Sequence, residues 1–191
     1  MADEVARSFG TIEETLTERE LEFDRRGDEH VIVQLPGVRK LKTTCLLTVS
    51  VHGVRIEAFV CRHPDENEPA VHQYLLQRNR KLYGVAYTID RSGDIYLVGR
   101  MAHHAVTADE LDRLLGQVLE AADGDFNVLL EIGFISSIRR EWAWRTSRGE
   151  PLDNLKAFEH LIKTGDGNGS KASDTEEGAG AKPGGGQGAR D

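Results

Sequence analysis

Cysteine is scarce, with two in 191 residues, and that excludes a disulfide-stapled scaffold. No apolar run is long enough to span a bilayer, and the first residues show no signal-peptide pattern. A cytoplasmic, reducing setting is therefore expected. Ser136-Ser137 has no strand–Gly-x-Ser-x-Gly–helix setting and no His or Asp placed to serve it, so no nucleophilic triad is legible. No glycine motif follows a strand in a way that could cradle a phosphate. Positive charge is also in deficit, with a formal net charge of −8. The last 28 residues, Thr164 to Asp191, contain no Val, Ile, Leu, Met, Phe, Tyr, Trp or Cys, and nine of the 20 glycines. Such a segment cannot bury enough apolar surface to offset the entropy of ordering, so a flexible tail is expected. It carries −2 of the net charge. The body is thus acidic by itself, which weighs against a general nucleic-acid binder.

Two hairpins are written plainly into the chain. From Lys40 to His63, Leu41, Cys45, Leu47, Val49 and Val51 alternate with polar residues, and Val54, Ile56, Ala58 and Val60 resume the alternation. A two-residue loop at His52-Gly53 would pair Val51 with Val54, Val49 with Ile56, Leu47 with Ala58 and Cys45 with Val60. Gly53 would supply the positive φ of a primed turn. In that register Cys61 opposes Thr44 on the face away from Cys45, which argues against a disulfide and predicts the faster-reacting thiol at Cys61. The second hairpin runs from Val85 to Met101. A three-residue loop, Arg91-Ser92-Gly93, pairs Ile89 with Ile95, Tyr87 with Leu97 and Val85 with Gly99.

Helical spacing surrounds these strands. Val5, Phe9, Ile12 and Leu16 mark one face, and a capping box at Thr11 and Glu14 places the firm start at Thr11, with an end near Glu20. Leu21 to Arg26 finishes that helix or forms a short edge strand, and His30 to Leu35 is a strand after the Gly27–Glu29 turn. Asp65 with Glu68, or Asn67, caps a helix bearing Val71, Tyr74, Leu75, Arg78 and Leu82. Thr107 and Glu110 cap a helix burying Leu111, Leu114, Leu115, Val118, Leu119 and Ala122. Asp123-Gly124-Asp125 interrupts, and helical spacing resumes through Phe126, Leu129, Leu130 and Ile132 and on to Trp142. A last amphipathic helix is expected from Pro151, with Leu152, Leu155, Phe158, Leu161 and Ile162. Consecutive hairpins force antiparallel pairing, so the fold class is α+β.

Four stretches, LPGVRKLKTTC, EAFVCRHPDEN, LLQRNRKLYGVAYTIDRSGDIYLVGR and SSIRREWAWRTSRGEP, resemble the YbjN family in its mycobacterial form. This is a bacterial sensory-transduction-regulator-like domain, and the resemblance spans roughly Thr11 to Pro151. It implies a type III secretion chaperone-like fold, a curved antiparallel sheet of two hairpins plus an edge strand, flanked by helices. The domain would occupy residues 11–163, after an extension over 1–10 and before the tail at 164–191. Protein binding and homodimerisation are implied, with no catalytic residue and no cofactor.

Two clusters invite chemistry. Cys61-Arg-His63-Pro-Asp65-Glu66 gathers a thiol, an imidazole and two carboxylates, but no second cluster completes a coordination sphere, and His103-His104 reads as a solvated turn. No metal site is expected, and a semi-buried thiol outranks a Cys61/His63 nucleophile. The second is Ile138 to Arg148, where four arginines and two tryptophans stand in an acidic protein. Trp142 continues an apolar stripe, whereas Trp144 faces another side of the helix. Arg139, Arg140, Trp144, Arg145 and Arg148 are thus the expected interaction surface, because Trp and Arg dominate interface energetics. The expected function is a non-catalytic protein-interaction or regulatory module. The rival is a nucleic-acid or nucleotide binder using the same segment, stacking a base on Trp144.

Overall fold

The computed structural model describes residues 2–163, so the tail expected over Thr164 to Asp191 lies outside the described residues. Its frame is one sheet of six strands: β1 (Glu22–Arg26), β2 (His30–Pro36), β3 (Lys42–Ser50), β4 (Gly53–Cys61), β5 (Val85–Ile89) and β6 (Ile95–Met101). They lie in the order β1-β2-β3-β4-β6-β5, every pair antiparallel. The helices are α1 (Ala2–Glu18), α2 (Glu68–Asn79), α3 (Ala108–Gly124), α4 (Phe126–Gly133), α5 (Ile135–Arg148) and α6 (Glu159–Lys163).

Alternation decides which face they cover. Val31, Val33, Leu35, Cys45, Leu47, Val49, Val54, Ile56 and Ala58 are buried on one face. Their neighbours on the other, among them Arg55, Phe59, Thr88 and Arg100, stand in solvent. Phe9, Ile12 and Leu16 of α1 and Leu111, Leu114, Leu115 and Val118 of α3 join the same core at helical spacing. The result is a two-layer α+β fold. The sheet is not curved, which corrects the expected curved sheet of two hairpins plus an edge strand. Both candidate first strands form, giving six strands in all. Curvature needs bulges or glycine kinks, and the ladders carry a single register shift, between Phe59 and Cys61.

The second hairpin has the register expected, Ile89 opposite Ile95 and Val85 opposite Gly99. The first is displaced. Its loop is Val51-His52, so Ser50 pairs with Gly53, Val49 with Val54, Leu47 with Ile56 and Cys45 with Ala58. Each β3 residue meets a partner two positions earlier than expected, which preserves the face. Val51 is left 53% exposed. Leu41, expected inward, is exposed because the strand begins after it.

Three helix expectations are also corrected. α1 starts at Ala2 and runs through Gly10, with Thr11 and Glu14 in its interior rather than at a cap. Its first turns are held from outside: Ser8 Oγ lies 2.8 Å from His103 Nδ1, and the Arg25 guanidinium sits 4.5 Å over the Phe9 ring. Those contacts outweigh the roughly 1 kcal/mol that glycine costs a helix. At α2, Asn67 occupies the cap position without a side-chain cap bond, because its amide donates to the Ile132 carbonyl instead. The last helix is a 3-10 segment, Asp153–Phe158, followed by the short α6, with Phe158 as its buried anchor.

Asp123-Gly124-Asp125 does more than interrupt. Asp125 is buried and accepts from Tyr74 OH at 2.7 Å, Arg78 Nε at 2.7 Å and Tyr87 OH at 2.8 Å. One carboxylate thereby ties α2 and β5 to the α3–α4 junction. Asp123 Oδ1 accepts from the backbone N–H groups of Val38, Arg39 and Lys40, at 2.8, 2.7 and 2.8 Å, fixing the β2–β3 loop. At the far edge of the sheet, Asn79 does the work of a missing strand. Its carboxamide accepts from Tyr87 N at 2.7 Å and donates to Tyr87 O at 3.2 Å.

Candidate interaction surface

The two clusters singled out in the sequence are linked through Ser137, whose hydroxyl donates to Asp65 and accepts from Arg140. After β4 the chain turns over the N-terminus of α5. Asp65 N and Glu66 N both donate to the Gly133 carbonyl, at 2.9 and 3.2 Å. Glu66 accepts from Ser136 N at 2.6 Å and Ser136 Oγ at 2.9 Å, satisfying the helix end from within the chain. Asp65 accepts from Arg62 at 2.5 and 2.7 Å and from Ser137 Oγ at 2.7 Å. The Arg62 guanidinium, and next the Ser137 hydroxyl, hold the Asp65 carboxyl well below the usual carboxylate range. Arg62 also lies 4.7 Å over the Phe134 ring. Asp65, expected to cap α2, therefore clamps α5 together with Glu66.

α5 buries Ile138 alone. Trp142, expected in the core, is only half-buried, and Trp144 is 44% exposed. The arginines around it are unequal. Arg139 Nη2 donates to the Leu161 carbonyl at 3.2 Å, and Arg140 Nη2 to Ser137 Oγ at 2.9 Å. Arg145 bonds Glu141 at 2.6 Å and the Pro151 carbonyl at 3.1 Å. Arg148 stacks instead, its guanidinium 4.8 Å over the Trp144 ring. Outward from α5 the prominent feature is thus an aromatic–guanidinium plate on a helix anchored at both ends.

The Cys61 cluster disperses. His63 N donates to Asp94 at 2.7 Å, and its ring lies 3.9 Å from Glu68. His103 Nε2 contacts the Ser50 carbonyl at 2.8 Å. Among the described residues no group of three or more His, Cys, Asp or Glu could hold a metal ion. Cys61 is buried, not on a half-open face, because the register shift after Phe59 turns both Val60 and Cys61 inward. Burial pushes the Cys45 thiol up to about 12 and the Cys61 thiol up to about 11, from an ordinary 9.

Both thiols should therefore resist alkylation in the native state at pH 8, Cys61 included. The pH dependence follows. In the unfolded chain these thiols ionise near pH 9, whereas in the folded one they keep their protons to about 11 and 12. Their contribution is fully present below pH 9 and is lost as pH rises through that window. Tyr74, raised from 10 to about 12 by burial and by its bond to Asp125, acts in the same sense from pH 10 upward. Urea midpoints should hold from pH 7 to 9 and fall above it. A midpoint flat to pH 11, or rapid alkylation of Cys61, would contradict this burial.

Among the described residues no helix is long and apolar enough to cross a membrane. The uncharacterized protein Rv0487 of Mycobacterium tuberculosis is 66% identical over 134 residues, covering 70% of this chain and 73% of that protein. The uncharacterized protein ML2442 of Mycobacterium leprae is 60% identical over 141 residues, covering 73% and 77%. A solved chain of the heterodimeric ExoU–SpcU complex, from the type III secretion system of Pseudomonas aeruginosa, aligns with a TM-score of 0.45 and 18% identity. The alignment covers 60% of this chain and 93% of that one. The model of the YbjN family, described as "Putative bacterial sensory transduction regulator", matches residues 8–131. On that match the chain belongs to the YbjN family.

Proposed function

We propose that the module acts through the outer face of α5, where Arg139, Arg140, Trp144, Arg145 and Arg148 form a surface covered by a second protein chain, in the first instance another copy of itself. The observation that carries this is Trp144, held outward with Arg148 stacked on it. A large ring already ordered by its neighbours loses little further entropy when a partner covers it. A regulatory role fits an anchored helix that recognises a partner and performs no chemistry. The nucleic-acid reading draws less support, since Arg139, Arg140 and Arg145 already serve Leu161, Ser137, Glu141 and Pro151 within the chain.

Trp144→Ala should weaken self-association by about 2 kcal/mol, read by light scattering across a dilution series. The unfolding midpoint of the dissociated chain should stay within about 0.5 kcal/mol of wild type. A wild type that is monomeric at every concentration would remove the homodimer. Steeply salt-sensitive RNA binding, lost in the same variant, would favour the nucleic-acid reading instead.

A further inference from the structure

Val38 and Leu41, at 87% and 77%, are the two most exposed large apolar side chains among the described residues. They do not sit on a slack loop. The carboxylate of Asp123 takes three consecutive N–H groups from Val38 to Lys40, and Gly37 N donates to the Leu41 carbonyl at 3.0 Å. A Cβ on Gly37 would lie 2.5 Å from that carboxylate and 2.9 Å from the Lys40 carbonyl, so the pinning requires glycine there. Arg39 and Lys40 are fixed too, by the carbonyls of Gly124 and Phe59. A rigid turn that holds two apolar side chains in water gains nothing for folding by doing so.

Behind the loop lies a groove of about 590 Å³, floored by Phe126, Leu130, Ala157 and Phe158. That volume is in the range of sites that receive a ligand. Its charge states what fits. Arg39 and Lys40 line it and bond to carbonyls, with no carboxylate ion pair among the described residues, while Asp153, also in its lining, is taken up by Lys156 at 2.5 Å. Arg39 and Lys40 outnumber the Asp123 carboxylate that pins the turn, and a net positive rim beside an apolar lining, in a protein of net charge −8, complements an anionic apolar ligand.

We infer that the Gly37–Leu41 turn and the groove behind it form a docking site for an acidic amphipathic segment of another protein. The apolar side chains of that segment would meet Val38, Leu41 and the groove floor, and its carboxylates would meet Arg39 and Lys40. The site shares none of the residues proposed on α5 and does not depend on them.

A displayed random peptide library, selected on the immobilised full chain, provides the probe. Enriched peptides should combine Leu, Ile or Phe with an excess of Asp and Glu, and should bind more weakly as salt rises. Val38→Asp/Leu41→Asp should lower their affinity at least about tenfold, while Trp144→Ala should bind them as wild type does. Arg39→Glu, a change on an exposed side chain, should shift selection toward basic peptides even if the double variant folds poorly. Peptides without an acidic excess, equal binding by the double variant, or no enrichment at all would each overturn the assignment. So would a wild-type dimer that Val38→Asp/Leu41→Asp converts to monomers, since the occupant would then be a second copy.

Discussion

Asp125→Ala should destabilise the fold by about 3–5 kcal/mol, measured from urea unfolding at neutral pH. The loss comes from what is stranded. Arg78 would keep its partly buried guanidinium with only Glu120, 3.4 Å away and largely exposed, as an acidic partner. Tyr74 would lose the acceptor of its hydroxyl, and Tyr87 would keep only the Ala121 carbonyl at 2.9 Å. Removing single donors should be far milder: Tyr74→Phe should cost about 1 kcal/mol, the usual net worth of one hydrogen bond. Domains of this kind have about 5–15 kcal/mol of stability, so the alanine variant should be visibly compromised at 37 °C. A cost under about 1 kcal/mol would mean that water reaches the three donors once the carboxylate is gone.

Gly53→Ala should be the second severe change. Gly53 has φ +126°, where an L side chain is strained, and a Cβ would lie 2.4 Å from the Met101 carbonyl of β6. Strain of about 1–3 kcal/mol combines with a clash against backbone, which cannot swing aside as a side chain can. Thermal unfolding should show a fall of many degrees, and the β4–β6 amides nearest the turn should lose hydrogen-exchange protection. Gly10→Ala is the control, because nothing lies within 4 Å of a Cβ there and the helix should gain slightly.

Gly53 also shows where the sequence ceases to be legible. A His-Gly pair between two alternating runs reads as a hairpin loop, and the face of every strand residue follows whichever loop is chosen. Glycine is demanded there by the expected positive φ and also by the approach of β6, a strand more than 40 positions later. The second hairpin has the expected register: the φ of +83° in its loop already calls for Gly93, and the His63 ring, 2.1 Å from where a Cβ would lie, calls for the same residue. Asp123 and Asp125 were hidden for the same cause as Gly53. As letters they are a break between helices, and their partners at 38–40, 74, 78 and 87 come from other layers.

The α5 surface was readable in composition and not in arrangement. Trp144 is outward, as the helix period requires. Which arginines remain available depends on Leu161, Ser137 and Pro151, whose positions no local rule supplies. Cys61 failed differently. Strict alternation put it on the open face, and one register shift returned it to the core.

The small carboxamide at position 79 has a consequence for the sheet as a whole. β1 carries Glu22, Asp24, Arg25 and Arg26, a charged border that discourages another strand. β5, with Val85, Ala86, Tyr87, Thr88 and Ile89, has no such charge, and its midpoint is closed by Asn79 alone. The sheet is in effect finished at both margins, one by electrostatics and one by imitation. Growth by strand addition, the first step toward fibrous polymerisation, would have to evict that side chain. The sheet is thus kept from becoming a template, and if the proposed surfaces bind partners they do so on helices and turns, leaving both sheet margins untouched.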